Sequence, residues 1–214
     1  MKVIDLSHTI KENMPVYPGT EPPKLNTVNT CEKDCFKETR ITMCSHIGTH
    51  IDAPAHVISD GLTLDEFPAE QFIGKALVID CRHISSGEDI MIADIERYGE
   101  KVLSAEFLLF NTGWDRKWKT TEYFVDYPCI DEEVLDFIIK KKYKGIGFDT
   151  FGPDPVDHDQ IKRHKKLFSA INMINIENLC NLEECGNEIF NLAALPIKTE
   201  NSDGAPARVI AIID

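Results

Sequence analysis

Between Ser45 and Val57 the chain reads SHIGTHIDAPAHV, a stretch that holds three of its seven histidines and an aspartate. At this composition an eleven-residue window carries roughly a third of one histidine, so the crowding itself calls for a physical reason. Read as an extended strand, His46, Gly48, His50, Asp52, Pro54 and His56 share one face, and Ile47, Thr49, Ile51, Ala53, Ala55 and Val57 the other. That alternation suits a polar outer face over an apolar core. Chelation is more demanding. At ~3.3 Å per residue a straight strand holds His46 and Asp52 about 20 Å apart, too far for one ion whose bonds are near ~2.1 Å. A chelating chain must therefore bend, and Gly48 and Pro54 permit it, one by its backbone freedom and the other by stopping regular structure. The expectation is a strand ending near Gly48 and a tight turn through Thr49 to Asp52 that gathers His46, His50 and Asp52. Two imidazoles and a carboxylate leave positions open on a divalent ion, as catalytic sites do, and zinc, manganese and iron accept such a set. His56 is then free to act as a base beside the ion.

The remainder of the chain limits the alternatives. With 214 residues and 43% hydrophobic content, one core suffices and a single domain over residues 1–214 is expected. A net charge of −13 repels nucleic acid and anionic membrane surfaces, so neither is an expected partner. The opening MKVIDLSHTI has a strand pattern and no apolar signal core, which with the odd count of seven cysteines predicts a reduced, cytoplasmic protein. Cys31 with Cys35 and Cys180 with Cys185 lack the two-residue spacing of zinc knuckles and read as loop cysteines.

Strand-length apolar runs at Val3–Leu6, Lys37–Ser45, Ala76–Cys81, Phe107–Asn111, Ile146–Asp149, Met173–Glu177, Ile189–Leu192 and Arg208–Ile213 alternate with a few helical patterns, as in a mixed α/β domain. IDEEVLDFIIKKKY has acidic residues in its first turn and lysines in its last, the order the helix dipole favours. DQIKRHKKLFS and IADIERYG predict shorter helices. NMPVYPGTEPPK, with four prolines, must be a loop around Tyr17. Glu177 and Asp149 both fall where strands end, where ligands often gather, although Asp149 could equally cap a loop.

His46, Gly48, Thr49, His50, Asp52, Pro54 and His56 reproduce the His-x-Gly-Thr-His-x-Asp-x-Pro-x-His signature, and by it the chain resembles the cyclase family of metal-dependent hydrolases, which includes kynurenine formamidases and isatin hydrolases. VIDLSHTIKENMPVYPG, NTGW, GIGFDT, INIENLCNL and PARVIAI extend the similarity along most of the chain. The resemblance implies a swivelling β/β/α fold, an α/β single domain with mixed β-sheet layers and flanking helices, and assembly into homodimers or homotetramers. It implies that His46, His50 and Asp52 hold a first zinc or manganese ion, that Asp52 bridges to a second where one is present, and that His164 and Glu177 complete the second site. His158 in DPVDHD is the alternative to His164. His56 is implied as acid and base. The family's formamidases carry a substrate-contacting tryptophan where this chain has Tyr17, which moves expectation away from formylkynurenine alone and toward aromatic amides in general, cyclic ones included.

The expected chemistry is hydrolysis of an amide-like carbonyl in a small-molecule substrate by a metal-activated water, with His56 moving the proton. Two competing readings use the same residues. A non-haem iron oxygenase would need only His50, Asp52 and one distant histidine and would leave His46 and His56 idle. A non-catalytic metal-binding scaffold would need no base beside the ion.

Overall fold

The structure is a computed structural model that describes residues 1–156 and 161–213. Its strands are β1 (Lys2–Asp5), β2 (Lys24–Asn29), β3 (Glu38–Thr42), β4 (His50–Asp52), β5 (Ile73–Asp80), β6 (Asp89–Ile90), β7 (Phe107–Asn111), β8 (Cys129–Ile130), β9 (Gly145–Phe148), β10 (Ile174–Glu177), β11 (Phe190–Pro196) and β12 (Gly204–Ile213). The helices are α1 (Cys31–Asp34), α2 (Ile92–Glu96), α3 (Glu100–Ser104), α4 (Glu132–Lys141) and α5 (Lys162–Ala170). The main sheet runs β1-β12-β11-β5-β7-β9-β10-β4, and a further pairing of β4 with the start of β12 closes it into a barrel-like ring.

The centre of this ring, β5-β7-β9-β10, is parallel. Parallel strands are covered on both faces and so read as continuous apolar runs. In FLLFN of β7, Phe107 and Leu109 point into the barrel, where they join Val78, Ile174, Ile176 and Val209. Leu108 and Phe110 point outward onto a second core with Ile95 of α2, Val134 and Ile138 of α4, and Leu167 and Phe168 of α5. The expected α/β fold with flanking helices is therefore present, with the sheet closed on itself. Helix α4 forms where its pattern predicts. The Asp131 carboxylate accepts the Val134 N–H at 2.8 Å, a cap worth about 1 kcal/mol, and Lys142 ends the helix at φ 57°.

Two local expectations are corrected. Thr49–Asp52 is not a tight turn: His50–Asp52 is a short, fully buried strand, and the bend lies before it, at Gly48 with φ 65°. The physical reason is the burial of Ile51 in the barrel core, which holds the segment in pleated form between β10 and β12. The need for a bend between His46 and Asp52 stands, since only three residues of the segment run straight. Further along the chain, Cys31 opens α1 and Cys185 lies in a 3-10 turn, so neither is a plain loop residue. Burial pushes the Cys180 and Cys185 thiols up to about 12.

Strand β2 escapes the sequence reading because KLNTVN shows no clean alternation. It pairs with β3 in a two-stranded arm whose residues are almost all exposed.

Candidate metal centre

The register of three strands builds the site. On β4, Ile51 points into the barrel, so His50 and Asp52 must point out, on the helix-covered side. On β10, Ile174 and Ile176 point in, so Asn175 and Glu177 point out. Antiparallel pairing sets Glu177 opposite His50 and Asn175 opposite Asp52. Directly opposed side chains have Cβ atoms about 5 Å apart, so four polar groups converge without any loop being asked to place them. Helix α5 closes the cluster from above. Its Leu167 and Phe168 fill the outer core, and His164, three and four residues earlier, shares their buried face.

Asp52 stands at the centre. Its Oδ1 lies 2.7 Å from His46 Nδ1 and 3.2 Å from His50 Nε2, and its Oδ2 lies 3.4 Å from His164 Nε2. Glu177 faces the same groups, with Oε1 3.1 Å from His164 Nε2 and Oε2 3.4 Å from His50 Nε2. Asn175 Nδ2 donates to Asp52 Oδ2 and to Glu177 Oε1, each at 2.9 Å, which braces the two carboxylates. Two trios result, His46-His50-Asp52 and Asp52-His164-Glu177, each with ligand atoms within 4.8 Å of one another. The two oxygens of Asp52 serve one trio each.

These residues fit a divalent ion. His50 Nε2 is buried without a hydrogen-bond partner although two carboxylates flank it, and a buried orphan of this kind carries a penalty of about 1–3 kcal/mol unless something else pairs with it. Its ring is oriented for ligation, because its other nitrogen, Nδ1, lies 2.8 Å from the Gly48 carbonyl. The charges agree. Burial opposes charge on Asp52, yet the histidines hold its carboxyl well below the usual range. Burial likewise opposes charge on His46, but Asp203 and Asp52 outweigh it and lift that imidazole to about 10. His164 is raised in the same way by Asp154, Asp52 and Glu177. Burial and the Asp52 charge push Glu177 up. A pocket that binds extra protons this firmly has an excess of negative charge, which a cation can neutralise.

His46, His50, His164 and Glu177 of these trios line a cavity of about 270 Å³. His56 reaches it from the 3-10 turn Pro54–His56, with its ring centroid 3.9 Å from that of His46 and 6.0 Å from that of His164. Burial pushes His56 below the ordinary imidazole value, and the charges of His46 and His164 add to this against the pull of Asp52. Tyr17, Tyr127, Phe151 and Val156 supply apolar lining to the same cavity. The Tyr17 hydroxyl donates to the Val156 carbonyl at 3.2 Å, and its ring meets Phe151 edge-on at 6.3 Å. The structure thus brings together His46, His50, Asp52, His56, His164, Glu177 and Tyr17. His158 lies outside the described residues. Asp149 is elsewhere: its carboxylate accepts the backbone N–H groups of Thr112, Gly113 and Trp114 and caps the loop after β7.

Three polar residues of the site escape the sequence reading. Asn175 sits in an otherwise apolar run, and its role follows only from its register against Asp52. Asp154 lies 2.7 Å from His164 Nδ1 and receives the His164 backbone N–H, so it fixes both the ring and the start of α5. Asp203 lies 2.9 Å from His46 Nε2, in the loop before β12. Its sequence signal is the Asp-Gly pair just ahead of PARVIAI.

Comparison with known proteins places this geometry. The family model described as "Putative cyclase" matches residues 4–155. A kynurenine formamidase of Geobacillus thermodenitrificans is 30% identical over 206 residues, covering 96% of this chain and 94% of that protein. A solved structure described as a predicted metal-dependent hydrolase from Bacillus stearothermophilus is 30% identical with a TM-score of 0.79, covering 98% of this chain and 97% of the other. Isatin hydrolase A from Labrenzia aggregata superposes with a TM-score of 0.87 at 24% identity over 99% of this chain and 93% of its own, a likeness of fold.

Proposed function

Since the chain belongs to the cyclase family of metal-dependent hydrolases, we propose that it hydrolyses an amide-like carbon–nitrogen bond in a small, aromatic substrate. The observation that carries this reading is the largely buried cluster of His46, His50, Asp52, His164 and Glu177, whose histidines and glutamate line a cavity together with Tyr17, Tyr127 and Phe151. We assign His46, His50 and Asp52 to a first divalent ion and Asp52, His164 and Glu177 to a second, with zinc or manganese as the metal. A bound divalent ion supplies Lewis acidity, which acidifies water and polarises a carbonyl oxygen.

The protein's own groups do the rest. His56, kept neutral near pH 7 by its surroundings, takes the proton of the attacking water and returns it to the leaving nitrogen, a role typically worth about 10²- to 10⁴-fold. Tyr17, Tyr127 and Phe151 hold the substrate's ring by offset or edge contacts. Tyr17 stands where the family's formamidases carry a substrate-contacting tryptophan, so cyclic amides belong among the candidates beside formylkynurenine. The oxygenase reading is not favoured, because it gives His46 and His56 nothing to do, and both stand in this cavity.

We assign the protein to the cytoplasm and to a homodimer or homotetramer. Among the described residues no helix is long and apolar enough to cross a membrane. The exposed β2–β3 arm carries Val28, Phe36 and Ile41 into solvent, as an arm that packs on a second copy would.

The test is hydrolysis of N-formylkynurenine, formanilides and isatin by ion-free protein and by protein reloaded with zinc or manganese. Turnover of at least one of them after reloading and none before is expected. Reloaded protein inert toward the whole panel sinks the amide assignment.

A further inference from the structure

We propose that Asp203 is a positioning residue that holds His46 in its ligating orientation, with Gly204 shaping the space for the ring. This rests on the metal-centre reading above and extends it to a segment about 150 residues downstream of the ligand signature, a gap seen in the His46–Asp203 separation of 157 positions.

The two ring nitrogens of His46 face different carboxylates. Nδ1 points at Asp52, 2.7 Å away, toward His50 and the buried floor. Nε2 points at Asp203 Oδ2, 2.9 Å away, on the half-open side. Asp52 sits in a trio with two fully buried members, whereas Asp203 has a side chain 47% exposed and its trio with His46 and His56 is only partly buried. The ion therefore belongs on the Nδ1 side, beside the orphaned His50 Nε2, and Asp203 is left as the acceptor for Nε2–H. A carboxylate on the free nitrogen of a ligating histidine fixes its tautomer and raises its basicity, and loss of such a partner typically costs about 10- to 100-fold in metal affinity.

The segment that delivers Asp203 is anchored. The Asp203 carbonyl accepts the Ala53 N–H at 2.9 Å, the bond immediately after Asp52, and the Ser202 carbonyl accepts the Leu64 N–H at 2.9 Å. The Ser45 hydroxyl reaches Asp203 Oδ2 at 3.4 Å. Gly204 pairs with Asp52 across the β12–β4 ladder. A Cβ on Gly204 would sit 2.4 Å from His46 Cε1, so no side chain fits there while the ring keeps its place. Asp203 and Gly204 together form a seat, one catching the ring's outer nitrogen and the other clearing space for its edge. The same Asp203 oxygen is 3.8 Å from His56 Nδ1, which sets ligand and proton carrier on either side of one carboxylate.

The test is zinc affinity by chelator competition, with the visible spectrum of the cobalt(II)-loaded protein, for wild type, Asp203→Ala, Asp203→Asn and Gly204→Ala. Asp203→Ala should lose about 10- to 100-fold in affinity while the cobalt band positions stay those of wild type, because the ligand set is unchanged. Asp203→Asn still accepts a hydrogen bond from His46 and should recover part of the loss. Gly204→Ala should lower affinity by displacing the same ring. Far-ultraviolet circular dichroism of ion-free Asp203→Ala should match that of wild type, although loss of the His46 ion pair lowers its thermal midpoint. Affinity of Asp203→Ala within twofold of wild type overturns the inference, and so do band shifts matching those of His46→Ala, which would make Asp203 a ligand. Wild-type protein that takes up no zinc contradicts the metal reading beneath it as well.

Discussion

Asp149 and Glu177 are both buried carboxylates just past or at the ends of neighbouring parallel strands, β9 and β10, and burial pushes both carboxyls up. Their partners separate them. Asp149 is met by Thr112 Oγ1 and by three backbone N–H groups, from Thr112, Gly113 and Trp114, donors that cannot leave. Glu177 is met by His164, His50 and Asn175, and an imidazole nitrogen can give its proton up to a cation instead. Position in the fold and burial do not tell a structural carboxylate from a ligand. The exchangeability of the groups around it does.

The largest effect that would break this comparison is on stability. Asp149→Ala strands four donors at about 1–3 kcal/mol each, so chemical denaturation should show a loss of at least ~3 kcal/mol, with zinc uptake per folded chain unchanged. If that variant instead lost zinc and kept its stability, the two carboxylates would have exchanged roles. Glu177→Gln is the mirror case. Its zinc affinity by chelator competition should fall ~100-fold or more at the second ion, while the ion-free protein loses less stability than Asp149→Ala does.

A third prediction uses pH. Burial raises Asp149 to about 7 from the ordinary 3.8, against the pull of the Thr112 and Gly113 donors. Between about pH 4 and 7 the folded state then keeps a proton that the unfolded chain has released. Stability must fall as pH rises through that window, by up to ~1.4 kcal/mol per unit, and level off above it. Urea titrations of ion-free wild type and Asp149→Asn should differ in slope there and nowhere else; parallel curves would remove the titrating group from Asp149. The smallest effect lies on the outer face of α5, where Lys166 bridges to Glu132 and Asp136 at 2.6 Å with both acids largely exposed. Lys166→Ala should cost about 0–1 kcal/mol and leave zinc affinity untouched, although it lies two residues from His164.

The same contrast explains what could be read from the sequence. His46, His50, Asp52 and His56 announce themselves because they sit close together in an unusual pattern, and reach alone demanded a bend between His46 and Asp52, which the fold makes at Gly48 and not in the turn expected after it. The parallel strands were legible as apolar runs, and α4 as an amphipathic helix with its charges ordered along the dipole. His164 and Glu177 depended on family resemblance, since a histidine among lysines looks solvated until Leu167 and Phe168 are seen to turn that face inward. Asn175 and Asp203 owe their roles to strand register and to a closure between β4 and β12 that joins residues about 150 positions apart, and Asp154 to the chain just before α5, so beyond the Asp-Gly pair at Asp203 nothing local marks them. Asp149 stayed ambiguous for the same reason, its donors lying on another strand's end.

If the histidine–carboxylate cluster holds divalent metal, its aspartate must be indispensable for uptake. Elemental analysis of folded protein after dialysis against zinc tests it most directly, on wild type, Asp52→Asn and Asp149→Asn side by side. One to two zinc ions per chain are expected in wild type and in Asp149→Asn, and a near-complete loss in Asp52→Asn. Wild type without zinc, or Asp52→Asn with as much as wild type, would contradict it.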